Sequence, residues 1–119
     1  MRRHHRAARA IGLALGAVLA LVACAPTGDA APVATAQVNL PASYRFEPAS
    51  ITVPDGATVT WTNNDNFTHN VRLIDDGGEV LDLPPGESVS YTFTGAGEHR
   101  YDCSFHPTDM TGVVVVTDS

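Results

Sequence analysis

The chain has 119 residues, enough for one small domain, and an apolar content that fits a globular protein. Four of the seven arginines fall in the first ten residues, lysine is absent, and all thirteen acids lie at or after Asp29. So acidic a chain beyond residue 23 excludes nucleic-acid binding through phosphates, which needs a basic footprint.

Met1–Arg9 is basic, and Ile11–Ala23 is an uncharged run of apolar and small residues. That run is shorter than the roughly 18–20 residues that span a bilayer. A basic stretch before a short apolar one is the pattern of a secretory signal peptide, here residues 1–23. The run ends in Leu21-Val22-Ala23-Cys24, which resembles the lipobox of bacterial lipoproteins. The resemblance implies lipidation of Cys24 and a protein tethered to a bacterial membrane on its periplasmic or extracellular face. Two or more acyl chains suffice for stable anchoring. Residues 24–36 are rich in Ala, Pro and Thr without periodicity, which predicts a flexible linker.

From residue 37 to 119 no apolar repeat of helical period and length appears. Short β-branched and aromatic runs recur between turn residues, which predicts an all-β domain, a Greek-key β-sandwich of seven to eight strands. Expected strands are Gln37–Leu40, Tyr44–Phe46 (short, ending at Pro48), Ser50–Val53, Thr58–Thr62, Asn70–Ile74, Glu79–Leu83, Ser88–Phe93, Glu98–Cys103 and Gly112–Thr117. Thr58–Thr62 alternates, with Val59 and Trp61 turned to the core and the three threonines outward. Pro54-Asp55-Gly56 and Pro84-Pro85-Gly86 are strong turns. Asp75, Asp76, Glu79 and Asp82 form an acidic group on a turn and an edge strand, where charge also guards against edge pairing.

Near the end of the chain, Cys103, His106 and Met110 lie within eight residues, and His69 stands at the start of a different strand. Two imidazoles, a thiol and a thioether are the donors of a blue-copper electron-transfer site. The mixture serves both Cu(I), which favours sulfur, and Cu(II), which favours imidazole. One copper ion cycling between these states is expected. Zinc has little use for a thioether. With four protein donors no position is left open for a substrate, so an enzyme is not expected. His99 shares strand parity with Tyr101 and Cys103 and is read as a packing residue.

The segments Trp61-Thr62-Asn63-Asn64 with His69-Asn70-Val71, and Gly97 to His106 with Met110-Thr111-Gly112, are similar to the ligand regions of the plastocyanin-like cupredoxins. The resemblance implies an eight-stranded Greek-key sandwich with copper at one end, His69, Cys103 and His106 as strong ligands and Met110 as the axial one. It implies that Asn70 bonds near Ser104 and ties the two ligand loops together. It places electron entry or exit at the His106 edge, between Phe105 and Pro107. The acidic group Asp75, Asp76, Glu79 and Asp82, read first as a solvated turn and edge strand, is the alternative docking patch for a positively charged redox protein. The sequence departs from plastocyanins and amicyanins in the three residues that separate His106 from Met110, and in Thr68 and Phe105 where proline is common. The expected function is single-electron transfer between redox proteins by a monomer. The alternative is copper capture or delivery outside the cytoplasm, against which the scarcity of Met and His in the domain counts.

Overall fold

The computed structural model describes residues 31–118, together with Gly16. The expected lipidation site Cys24 and the remainder of residues 1–30 lie outside the described residues. Nine strands and no helix occur among those described: β1 (Val33–Ala34), β2 (Gln37–Leu40), β3 (Ser50–Pro54), β4 (Thr58–Asn63), β5 (His69–Leu73), β6 (Glu79–Leu83), β7 (Ser88–Thr92), β8 (Gly97–Asp102) and β9 (Thr111–Thr117). They form a six-stranded sheet in the order β1-β3-β9-β8-β5-β6 and a three-stranded sheet in the order β2-β4-β7. The architecture is the expected Greek-key-like sandwich, with nine strands instead of seven or eight.

The alternation in β4 decides how the small sheet packs. Val59, Trp61 and Asn63 are buried, while the three threonines face outward and pair across to β7. Thr58 with Thr92, Thr60 with Ser90 and Thr62 with Ser88 each meet at 2.8 Å. Cross-strand hydroxyl pairs of this kind support register as well as pairing. β9 lies between β3 and β8. Val114 and Val116 enter the core while Val113 and Val115 are half-buried on the other face, so the strand reads as an unbroken apolar run. Trp61, Phe93 and Tyr101 form the aromatic centre, Trp61 meeting the other two edge-on at 6.1 and 5.3 Å. Tyr101 lies opposite Gly112 across the β8–β9 pair. A methyl group on Gly112 would collide with the Tyr101 ring, so glycine is required by space.

Two local expectations change. Ordered pairing starts before Gln37, because Val33–Ala34 pairs in parallel with Ile51–Thr52. The strand is exposed and owes its place to backbone hydrogen bonding. Tyr44–Phe46 is not a strand. Ser43 and Tyr44 turn through positive φ angles of 124° and 53°, a region L-residues rarely occupy. The turn drops Phe46 into the core against Tyr101, 4.8 Å away, and Glu47 bridges back to Asn39.

Candidate metal centre

β5 and β8 run antiparallel, with Arg72 opposite Asp102 and Leu73 opposite Tyr101. This register brings the start of β5 and the end of β8 to the same end of the sandwich, and with them His69 and Cys103. His69 and Cys103 are fully buried, and the Cys103 Sγ stands 4.0 Å from His69 Nδ1. Two donors on one ion lie at most about 4.3 Å apart when their bonds are of the order of 2.0 and 2.3 Å, as for imidazole and thiolate on zinc. The observed separation falls inside that limit.

The loop after β8 is closed by its own backbone. His106 N–H donates to Cys103 O at 3.0 Å, Met110 N–H to His106 O at 2.9 Å, and Cys103 N–H to Met110 O at 3.0 Å. The second bond spans four residues, an α-turn. It accounts for the three-residue link between His106 and Met110, which forms one turn and returns Met110 to the level of Cys103. Met110 is fully buried and His106 half-buried. The His106 ring lies 5.9 Å from that of His69. Asn70 donates from Nδ2 to Ser104 Oγ at 2.6 Å, and its Oδ1 accepts the Ser104 N–H at 2.8 Å. The two segments that carry His69 and Cys103 are therefore linked twice.

The loop before His69 hangs on Asn63. Its Nδ2 donates to Phe67 O and Leu83 O at 2.8 and 2.9 Å, and its Oδ1 accepts the Asp65 N–H at 2.9 Å. Asp65 Oδ1 accepts the Asn66 N–H, and Oδ2 sits 2.8 Å from His69 Nε2. The hydrogen bond from His69 holds the Asp65 carboxyl below its usual range, against the effect of burial and with help from Asn66 N–H.

Around this end the surface is aromatic. Tyr44 stands edge-on to His106 at 4.6 Å and stacks on Phe67 at 5.9 Å, and Phe67 and Phe105 are more than half exposed. Beside Cys103, the buried Asp102 carboxylate receives Arg72 through Nε at 2.8 Å and Nη2 at 2.6 Å, the two-pronged geometry arginine favours.

His99 is half-buried at the far end of β8. It packs edge-on to Phe93 at 5.4 Å, with Nδ1 2.9 Å from Asp76 Oδ2 and Nε2 2.7 Å from Gly95 O. The acidic group is divided. Asp75 binds Arg100 and Asp76 binds His99, while Glu79 and Asp82 stay exposed on the edge strand β6.

Residues 34–117 match the family of copper binding proteins, plastocyanin/azurin family. The chain belongs to that family. It is 40% identical over 83 residues to a chloroplastic plastocyanin of Tetradesmus obliquus, covering 60% of this chain and 57% of that protein. It is 38% identical over 80 residues to an amicyanin of Paracoccus denitrificans, covering 63% and 60%. The chain thus spans less than two thirds of either relative. Among solved structures, a purple cupredoxin from Nitrosopumilus maritimus superposes with a TM-score of 0.59 at 34% identity, over 70% of this chain and all of that one.

The family implies a copper site, and the residues at this end of the sandwich fit one. A buried thiol, a buried thioether and two imidazoles are the donors a type 1 copper ion takes. Among the described residues no three His, Cys, Asp or Glu side chains form a ready cluster by themselves. The fit rests on the mixed donor set, which includes a methionine, and on the facing pair His69–Cys103. Sequence reasoning overlooked three groups here: Asp65, Tyr44 and the Arg72–Asp102 pair. Asp65 was hidden in a polar run, although a carboxylate four residues before a candidate ligand was its mark.

Proposed function

We propose that the protein binds one copper ion through His69, Cys103, His106 and Met110 and carries single electrons between redox proteins. The observation that carries the reading is the fully buried Cys103 thiol facing His69 Nδ1, with Met110 buried in the same closed loop. When bound, copper supplies a one-electron couple. The chain supplies the rest. Cys103 loses its proton and offers a thiolate, the ligand form of cysteine. Asn70 and Ser104 hold the two ligand segments together, a supporting role of the kind that orients metal ligands. Burial excludes water from the donors, and the half-buried His106 leaves one edge near the surface.

The chain is not an enzyme, in keeping with its plastocyanin and amicyanin relatives. Docking at the His106 edge is supported by the aromatic rim of Tyr44, Phe67 and Phe105. Of the acidic group, Glu79 and Asp82 are the members still free for a basic partner. The N-terminal pattern supports export, with Cys24 as lipid anchor at the outer face of a bacterial membrane. No helix among the described residues is long and apolar enough to cross a membrane. Copper delivery is the weaker reading, because three of the four donors are wholly enclosed.

The test is addition of Cu(II) to the purified protein. An intense visible thiolate-to-copper band is expected, and Cys103→Ser is expected to abolish it. A colourless wild-type complex, or a band that survives in the serine variant, would overturn the proposal.

A further inference from the structure

Asp65 and His69 are both buried, and the contact between them is direct, 2.8 Å from Oδ2 to Nε2. Loop geometry alone does not require that contact. Asn63 already fixes the loop at three points, and Asp65 gives its other oxygen to Asn66 N–H. The second oxygen is left to His69. An ionised carboxylate only accepts hydrogen bonds, so the proton between the two groups resides on Nε2. A neutral imidazole with its proton on Nε2 has its lone pair on Nδ1, the nitrogen that faces Cys103 Sγ. The partner of one ring nitrogen decides what the other can do.

We propose that Asp65 is a positioning residue for the metal centre: its carboxylate fixes His69 in the Nε2–H form and presents Nδ1 to the copper. The proposal rests on the copper reading given above. Its second consequence concerns the balance between oxidation states. A carboxylate bonded to the far side of an imidazole makes the ring a stronger donor. Cu(II) gains more than Cu(I) from a stronger nitrogen donor, so Asp65 lowers the reduction potential relative to a variant without it.

The test uses the whole protein carrying Asp65→Ala or Asp65→Asn and reads both apo and loaded forms. In the apo wild type, nitrogen NMR of the His69 ring is expected to show a proton on Nε2 and none on Nδ1. In the alanine variant both tautomers are expected. In the loaded protein, loss of this bond is expected to weaken Cu(II) binding by about 10–100-fold. Where Cu(I) binding is unchanged, each tenfold loss raises the potential by about 59 mV. Asparagine keeps an acceptor but not the charge, so its tautomer is retained while its potential still rises. That variant carries the test if alanine prevents folding. The proposal falls if the potential and Cu(II) affinity of the asparagine variant equal those of wild type. It also falls if the alanine variant only melts earlier with its tautomer unmoved, the mark of a purely structural residue. A wild-type protein that shows no thiolate band would sink the copper reading instead, and the apo tautomer would still report on Asp65.

Discussion

Among the described residues, two histidine–aspartate pairs lie at opposite ends of the β5–β8 ladder, and they behave differently. His69 gives one ring nitrogen to Asp65 and turns the other toward a sulfur. His99 gives one to Asp76 and the other to the Gly95 carbonyl, so both nitrogens face oxygen acceptors. An imidazole that donates twice must be protonated and has no lone pair to offer a metal. The pair at one end is suited to ligation, and the pair at the other is a cationic clamp between two turns. What separates them is the atom that faces the second nitrogen. The carboxylate partner is common to both, although His69 is fully buried and His99 half-buried.

The sharpest way to break this comparison is to delete each histidine in turn. His69→Ala is expected to abolish the visible copper band or reduce it severely, whereas His99→Gln leaves it intact. A band lost equally in both variants would remove the distinction. Next in size is Gly112→Ala, in β9 opposite Tyr101 of β8. With the Tyr101 ring across Gly112, the added methyl is expected to cost about 1–3 kcal/mol, read as a lower apo melting temperature of about 4–8 °C per kcal/mol.

The two arginine–aspartate pairs among the described residues come third. Arg72→Ala strands the buried Asp102 carboxylate, whereas Arg100→Ala frees an Asp75 that water can reach. Thermal unfolding is expected to show the larger loss for Arg72, because an uncompensated buried charge costs more than a broken surface pair. Equal losses would contradict the burial argument.

The smallest effect is a pH dependence. Burial opposes the His99 charge, but the Gly95 carbonyl and the Asp76 and Asp75 carboxylates outweigh it and raise its pKa. A raised folded-state pKa gives stability that is full below the unfolded value near ~6.5 and is lost as pH rises through the folded value. Apo-protein denaturation across this range is therefore expected to show a stability that falls with rising pH, less so in His99→Gln. An identical slope in the variant would assign the dependence to other groups.

Most of the architecture was legible because alternation survives in the strands that bury one face. Trp61 and Val59 marked β4, and Val89, Tyr91 and Phe93 marked the inner face of β7 and the residue after it. Val33–Ala34 carried no such mark, since a two-residue exposed strand is held by backbone bonds that any sequence can make. Tyr44–Phe46 had the composition of a strand, but its backbone turns through the left-handed region to send Phe46 inward. At the site, donor types and spacing stood out for Cys103, His106, Met110 and His69 because thiols, thioethers and imidazoles are scarce in this chain. Asp65 and Arg72 did not, because an acid or a base in a polar or alternating stretch looks like ordinary surface until the fold brings its partner near.

The closed loop between Cys103 and Met110 bears on how a metal would enter. Three backbone bonds fix its shape using the chain alone, so no segment has to be ordered when an ion arrives. In the copper reading, an ion would meet donors already held beside the Tyr44 and His106 rings, and the chain would not have to fold around it.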